Sequence, residues 1–485
     1  MTNGMKLPTP KTLAFLTVAG FFLIYLATNY NQKTINKTST TPPLSDGALK
    51  SMTGHMRMRH PMPVDASIKM ITLGYQLFFD KGFSSNGAIA CATCHQPDKS
   101  FTDGRPTGVG LTVVGMNTPT LINTYASHWF FWNGRADSLA AQALGPVENP
   151  DEHGFSRGQV AKRIVETYRK PYESVFGPIP PEALASEQIT TRPASHAAQV
   201  SHEVAAYALA TLGSPILQKS ILREAQSKSR QPVEILEMMA AGPVGNPSTF
   251  DQLPDPRKKA INQIFWNFGR AIAAFERTVV TKDAPFDNFV DRFSNTKNPT
   301  EALGAGFGEP ELRGLRIFTG RGNCVRCHHG SHFTDQQFHN IGLPPTKSDS
   351  IDLGRAQGIL IARDSEFGCL GAFATKDATN VKLSESCLEL KFIETDSAEA
   401  VGAFKTPTLR NLRDTAPYGH DGRFPRIRDV LNHYNNLGTV AAVGHTEDSL
   451  RPLGLRSEDL DDLEAFLNSL NSSVDFFSAS RELSK

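Results

Sequence analysis

Three segments of the chain carry apolar residues at helical spacing. Residues 68–80 predict an amphipathic helix, and residues 259–280 predict a long core helix. A stripe at 455–470 predicts a terminal packing helix with Ser457 as its N-cap. Because long irregular stretches such as 343–402 separate these segments, we expect a mainly α protein with long loops and little β structure.

The N-terminus has the pattern of an export signal. Two lysines precede an uncharged run from Leu13 to Thr28, which is short for a membrane span of about 17–25 residues. No small-x-small cleavage site ends this run, so residues 1–28 are predicted to be a signal segment, with an uncleaved anchor favoured over a cleaved peptide. Residues 29–62 are polar and rich in Pro, Ser and Thr, which predicts a flexible linker. The body of the protein is therefore expected in the periplasm, anchored to the inner membrane if the signal stays attached.

Composition and charge say little about the function. The 485 residues allow two or three domains, and 39% apolar with 20% charged residues is typical of a globular protein. The formal net charge of +1 gives no reason to expect binding to nucleic acid or to an anionic membrane surface.

Four of the six cysteines belong to two C-x-x-C-H motifs, each of which is typical of covalent c-type haem attachment. The residues are Cys91, Cys94 and His95 in the first motif and Cys324, Cys327 and His328 in the second. A zinc site made from both pairs is the weaker alternative, because almost half the chain separates them and the histidines would have no role. The other two cysteines, Cys369 and Cys387, lie in a polar loop of an exported protein, where we expect a disulfide.

The sixth iron ligands decide whether the haems only carry electrons or also bind a substrate. No methionine follows Met239, so the second haem takes His, Tyr, water or nothing, unless the first half lends a methionine. Met116, His128 and His153 are the downstream candidates at the first haem, and none of them is compelling. An open first haem is consistent with this pattern.

The two halves share a short repeat, NTPTLIN at 117–123 and KTPTLRN at 405–411, and each copy follows a haem motif. This repeat predicts two related cytochrome c-like domains that face each other. We place the N-terminal cytochrome c domain at 63–250 and the C-terminal cytochrome c domain at 255–485.

Together these motifs resemble the bacterial di-haem cytochrome c peroxidase family, and within it the MauG-like branch. The resemblance runs from about residue 63 to the C-terminus. The segments that carry it are LFFDKGFSSNGAIACATCH, FTDGRPTGVG, NTPTLIN, FFWNGRADSLAAQALGPVENPDE, CVRCHHG, KTPTLRN and TAPYGHDGRF.

The resemblance implies catalytic residues at the first haem. Gln142 and Glu152 match the family's amide and carboxylate, which would orient bound peroxide and transfer its proton. Trp132 matches the tryptophan that lies between the haems. The resemblance also implies a Ca²⁺ ion at Asn117, Thr415 and Pro417, whose hard oxygen donors suit this cation.

The chain departs from typical family members at two positions. Val109 stands where they have a histidine that ligates the first iron, and no histidine occurs between His95 and His128, so no reductive activation is expected. Tyr434 stands where they have the methionine ligand of the second iron, as in the MauG-like branch, and His433 is the competing ligand.

The resulting hypothesis is a periplasmic di-haem peroxidase that reduces hydrogen peroxide and takes electrons from a small cytochrome c or cupredoxin. One alternative is a MauG-like enzyme that oxidises residues of a partner protein. Another is a non-enzymatic di-haem electron carrier. The resemblance leaves both a homodimer and a monomer open.

Overall fold

The computed structural model describes residues 44–58, 66–184, 250–344, 352–373, 385–393, 398–438 and 443–477, with isolated positions between 185 and 249. These residues belong to one compact unit, Thr41–Lys485. The predicted signal segment 1–28 and much of the predicted linker lie outside the described residues. None of the helices described combines the length and the hydrophobicity that a bilayer span requires.

The described part of the chain is mainly helical, as predicted. Its α-helices are α1 Asp46–Met56, α2 Ile68–Phe79, α3 Cys91–Cys94, α4 Leu139–Glu148, α5 Arg157–Thr167, α6 Arg169–Phe176, α7 Asp255–Glu276, α8 Pro285–Ser294, α9 Glu309–Thr319, α10 Arg355–Asp364, α11 Glu385–Phe392, α12 Ile427–Asn436 and α13 Ser457–Asn468. Short 3-10 turns lie at Lys81–Phe83, Pro97–Lys99, Thr124–Ala126, Pro181–Leu184, Phe250–Gln252, Pro299–Ala302, Cys324–Arg326, Ala398–Ala400 and Leu412–Asp414. The strands are two antiparallel pairs, β1 Val280–Thr281 with β4 Val474–Asp475 and β2 Phe338–His339 with β3 Phe404–Lys405.

In the first half, α2 crosses the long helix α7 in close contact. A Cβ atom on Gly74 would lie 1.9 Å from the carbonyl oxygen of Ala271, so only glycine permits this approach. Both helices were predicted from their apolar spacing. Helix α7 ends at Glu276 rather than at 280, because the chain there turns to form β1.

The second half repeats this arrangement with α9 and α13. A Cβ atom on Gly314 would lie 2.0 Å from the carbonyl oxygen of Asp462, again at a close helix crossing. The prediction of Ser457 as the N-cap is wrong by one residue: the cap is Arg456, whose backbone N–H donates to the Asp459 carboxylate at 3.1 Å.

Two segments pack differently from what composition indicated. Helix α7 begins the predicted domain 255–485, yet its apolar side chains belong to the hydrophobic core of the first half. Helix α1 lies inside the predicted linker 29–62, and its Leu49 and Met56 are fully buried in the core of the second half. Only a few apolar residues of α1 make this contact with the second half, so the polar composition of residues 29–62 did not indicate it.

The irregular stretch 343–402 contains α10 and α11, and a disulfide joins the segment after α10 to α11. Cys369 and Cys387 are bonded with their Cα atoms 5.7 Å apart, which confirms the predicted bond. At the start of α10 the buried Arg355 guanidinium stacks on Trp129 and donates to the carbonyl oxygen of Gly134 at 2.8 Å. This disulfide-linked segment therefore packs on the loop that carries Trp132.

Candidate active site and haem-binding residues

The first C-x-x-C-H motif forms one helical turn, α3, followed by His95. The His95 backbone N–H donates to the carbonyl oxygen of Cys91 at 2.9 Å, which keeps the thiols and the imidazole on one short element. Nδ1 of His95 lies 3.1 Å from the carbonyl oxygen of Phe101. Because a carbonyl only accepts, Nδ1 carries the proton and Nε2 keeps the lone pair that an iron ligand needs.

The second motif has the same geometry. The His328 backbone N–H donates to the carbonyl oxygen of Cys324 at 2.9 Å, and Nδ1 of His328 lies 2.9 Å from the carbonyl oxygen of Phe333. Phe101 and Phe333 both adopt the left-handed backbone region, with φ of 59° and 53°. Each half therefore aims one carbonyl oxygen at its histidine, a feature that sequence spacing did not reveal.

The cysteine and histidine side chains of the two motifs suit covalent haem attachment. All four motif cysteines are free. Burial raises the pKa of the Cys94 thiol to about 11 and that of the Cys324 thiol to about 12, so both thiols are protonated at neutral pH. Free thiols followed by an imidazole with an available Nε2 are what covalent haem attachment and iron ligation require.

A group formed by Cys327, Asp335 and His339 brings its potential ligand atoms within 4.8 Å of one another. His339 lies between the Asp335 and Glu447 carboxylates, at 2.9 and 3.0 Å. The hydrogen bond to Asp335 and the contact with Cys327 raise the pKa of His339 to about 11, so the imidazole is protonated and is a poor metal ligand. This group is better described as an ion-pair network beside the second motif.

Gln142 lies in α4 and Glu152 lies just after this helix, and both side chains are partly buried. The Gln142 Oε1 atom is buried without a hydrogen-bond partner. Oε2 of Glu152 accepts a hydrogen bond from Asn149 Nδ2 at 2.6 Å. Burial raises the pKa of Glu152, and the nearby Arg135 charge opposes this rise.

Glu152 lies close to the first haem motif. Its negative charge contributes to the raised pKa of both the Cys91 and Cys94 thiols. A loop that includes Val109 covers the same region, since the Val109 carbonyl oxygen lies 3.6 Å from Cys94 Sγ. The structure therefore brings the predicted carboxylate, the first motif and the residue that replaces the histidine into one region.

The covering loop also holds the Glu152 backbone. Leu111 N–H donates to the Glu152 carbonyl oxygen and Thr112 N–H to that of Asp151, both at 3.0 Å. The Thr112 hydroxyl donates to the Asp151 carboxylate at 2.7 Å. These bonds fix the backbone on which the Glu152 side chain is mounted.

Trp132 connects the two halves of the protein. Its indole N–H donates to the Asn117 carbonyl oxygen at 3.0 Å, and its own carbonyl oxygen accepts from the Lys405 backbone N–H at 2.8 Å. The Asn117 backbone N–H in turn donates to the carbonyl oxygen of His420 at 2.8 Å. The predicted calcium residues Asn117 and Thr415 thus belong to neighbouring segments of the two halves, and Pro417 lies between Thr415 and His420 in the chain.

Tyr434 and His433 are adjacent on α12. The Cys324 and Cys327 thiols add to the effect of burial in raising the pKa of Tyr434, so its phenol lies near the second motif. Nε2 of His433 lies 2.9 Å from the Ile341 carbonyl oxygen and donates to it.

Comparison with known proteins agrees with this geometry. A model of the di-haem cytochrome c peroxidase family matches residues 68–215. The chain is 27% identical to the methylamine utilization protein MauG of Methylorubrum extorquens, over 85% of this chain and 80% of that protein. It is 25% identical to the cytochrome c551 peroxidase of Nitrosomonas europaea, over 78% of each. These matches support the resemblance to the di-haem cytochrome c peroxidase family that the motifs indicated.

The fold agrees with that of a family member of known structure. The diheme peroxidase BthA of Burkholderia thailandensis aligns over 91% of this chain and 92% of its own length, with a TM-score of 0.54 at 17% identity. The similarity to MauG supports the MauG-like branch, as the motifs predicted. The matches to di-haem peroxidases imply that the protein binds two c-type haems.

Sequence reasoning gave Arg135 no role, although the structure places its charge near Glu152. Its guanidinium stacks on the Phe131 ring at 3.5 Å, and its Nε atom is buried without a partner. The sequence does contain a signal for a role of Arg135, which is the last residue of the Trp-x-Gly-Arg motif that begins at Trp132.

Proposed function

We propose that this protein is a periplasmic di-haem peroxidase that reduces hydrogen peroxide at the haem attached to Cys91 and Cys94. The observation that carries the proposal is the partly buried Glu152 carboxyl group, whose charge acts on the Cys91 and Cys94 thiols of that motif. Gln142, whose Oε1 is buried without a partner, takes its role from the family motif. The family match and the relatives named as peroxidases support the proposal. An electron carrier has no need of a buried carboxyl group with a raised pKa at this position.

The haems, when bound, supply the iron redox chemistry that breaks the O–O bond. The protein's part is to place peroxide and to move one proton. Asn149 donates to Oε2 of Glu152, so the exchangeable proton resides on Oε1. Because burial raises the pKa of this carboxyl group, Glu152 can take a proton from the inner oxygen of peroxide and return it to the outer oxygen near neutral pH. The Gln142 amide, whose Oε1 lacks a partner, orients the substrate.

The iron ligands in this proposal are His95 at the first haem and His328 with Tyr434 at the second. The hydrogen bond from His433 Nε2 to Ile341 supports Tyr434 over His433, since that nitrogen is already occupied. Tyrosine ligation stabilises oxidised iron, so the second haem would store or relay oxidising equivalents. With Val109 in place of the ligating histidine, the first haem stays open and needs no reductive activation.

Two further parts of the proposal concern the contact between the halves. Trp132 relays electrons between the haems, which its hydrogen bonds to segments of both halves support. A Ca²⁺ ion bound by oxygen atoms of Asn117, Thr415 and Pro417 holds these segments together.

Two candidate functions differ in the protein that supplies the electrons. A small cytochrome c or cupredoxin would make the protein a peroxide-removing enzyme, whereas a partner protein oxidised at its own residues would make it MauG-like. The similarity to MauG and the tyrosine at 434 favour the second candidate. The N-terminal segment would tether either enzyme to the inner membrane.

Stopped-flow mixing of the oxidised protein with hydrogen peroxide tests the proposal. We expect a rapid change in haem absorbance, and Glu152→Gln should slow it by roughly 100- to 10,000-fold, the usual contribution of a general acid–base group. The matched control Glu166→Gln, at an exposed position of the same half, should react at the wild-type rate. An unaltered rate in Glu152→Gln would refute the assigned role, and purely low-spin ferric EPR with no peroxide reaction would identify an electron carrier.

A further inference from the structure

We propose that Tyr125 is a redox-active tyrosine that gives up one electron during turnover, with His332 as the acceptor of its phenolic proton. The inference rests on the proposed peroxidase function, because hydrogen peroxide is the terminal oxidant.

The two side chains form a direct pair although 207 positions separate them in the chain. The Tyr125 hydroxyl oxygen lies 3.2 Å from Nε2 of His332. Their rings meet edge to face, with centroids 5.6 Å apart and planes at 80°. Nδ1 of His332 lies 3.1 Å from the Ser331 hydroxyl, which can accept its proton and leave Nε2 free to accept from the phenol.

The pair is located beside the second haem motif. His332 immediately precedes Phe333, whose carbonyl oxygen holds the proximal His328 at 2.9 Å. Thr408 donates to the His332 carbonyl oxygen at 2.7 Å and fixes the loop. An electron leaving Tyr125 therefore starts next to the segment that positions His328, the histidine proposed to ligate the second iron.

Tyr125 comes from the first half, so the pair also spans the contact between halves. It lies in the turn Thr124–Ala126, and the Ala126 carbonyl oxygen accepts a hydrogen bond from Gln336 of the second half at 3.3 Å. The Tyr125 side chain is only partly buried, so part of the oxidised ring would be exposed to solvent.

The protonation states suit the transfer. Burial, followed by the Arg410 charge, lowers the pKa of His332 to about 4 against the opposing effect of Asp287, so the imidazole is neutral at neutral pH. Burial raises the pKa of Tyr125, with Arg410 opposing, so the phenol keeps its proton until it is oxidised. A neutral imidazole at hydrogen-bond distance is therefore available to receive that proton.

The step balances in electrons and protons. The O–H bond of Tyr125 breaks, an N–H bond forms at Nε2 of His332, and one electron leaves the ring, which becomes a neutral tyrosyl radical. Reduction of hydrogen peroxide to two waters takes two electrons and two protons. Tyr125 supplies one electron, the small cytochrome c or cupredoxin donor supplies the other, and solvent supplies the two protons. A second electron from that donor reduces the tyrosyl radical, and His332 returns the proton to the phenol.

Rapid freeze-quench EPR after mixing the diferric protein with hydrogen peroxide tests the pair. We expect a radical signal that narrows when the protein contains ring-deuterated tyrosine and that Tyr125→Phe abolishes. Tyr75→Phe, a control within the core of the first half, should keep the signal. His332→Gln should slow radical formation by roughly 100-fold, as expected for the loss of a general base, and should remove its solvent deuterium isotope effect.

The haem absorption spectrum of each variant reports whether the fold is intact. A signal that persists unchanged in Tyr125→Phe would overturn the proposal, as would a wild-type rate in His332→Gln. If the protein does not consume peroxide, the proposed function fails separately. The one-electron oxidant hexachloroiridate then tests the pair directly: a tyrosyl signal that Tyr125→Phe removes supports the inference, and its absence refutes it.

Discussion

Raising the pH from 5 to 8 should destabilise the protein through one buried carboxyl group, Glu276. This residue lies at the end of α7, is 3% exposed, and its Oε2 atom is buried without a hydrogen-bond partner. Burial raises the pKa of Glu276 to about 8 despite the neighbouring Arg277 charge. The neutral acid is therefore the form that the folded protein prefers.

The sign and size of the effect follow from proton linkage. Below about pH 4.5 the carboxyl group is protonated in both the folded and the unfolded chain. Between that pH and about 8 the unfolded chain ionises first, so the free energy of unfolding falls by about 1.4 kcal/mol per pH unit. The total loss across this window is at most about 5 kcal/mol, and none follows above it.

Urea unfolding followed by far-UV circular dichroism, repeated at several pH values, measures this loss. Glu276→Gln removes the titrating group while keeping its size, so the variant should gain stability relative to wild type as the pH rises. The exposed Glu301→Gln variant is the control and should track the wild type at every pH. A constant difference between Glu276→Gln and wild type from pH 5 to 8 would show that Glu276 is not held neutral by burial.

Three further predictions concern single contacts. Arg410→Met should lower the free energy of unfolding by roughly 3–5 kcal/mol, because it removes the counter-charge of the fully buried Asp287. The exposed Arg413→Met should cost under about 1 kcal/mol in the same urea titration. Thr112→Val removes the 2.7 Å hydrogen bond to the carboxylate of Asp151, the residue before Glu152, and should slow the stopped-flow peroxide reaction roughly fivefold. A wild-type rate would contradict a role of this bond in positioning Glu152. Replacing Cys369 and Cys387 by serine opens a loop of 18 residues and should cost roughly 3 kcal/mol on thermal or urea unfolding, and an unchanged midpoint would disprove it.

Local chemistry made much of the site predictable. The C-x-x-C-H motifs place thiols and an imidazole within one helical turn, so haem attachment follows from covalent spacing alone. Helices α2 and α7 were predicted because their apolar faces repeat with the helical period. The resemblance to the family then implied roles for Gln142 and Glu152, which no periodic pattern indicates.

Other features depend on contacts between distant segments. The linker composition did not reveal that Leu49 of α1 is buried in the second half, and the apolar spacing of α7 did not show which half it packs against. The pairing of Tyr125 with His332 is likewise invisible in the chain, since neither residue has a local pattern that marks it.

The sequence by itself thus determined the helical class and the resemblance to di-haem peroxidases, because these depend on residue types at short, fixed separations. Only the tertiary structure decided which carbonyl oxygens orient the two histidines, that His433 already donates to Ile341, and that Glu276 lacks a partner. Burial and long-range hydrogen bonds set these properties, and both arise only when segments that are far apart in the chain pack together.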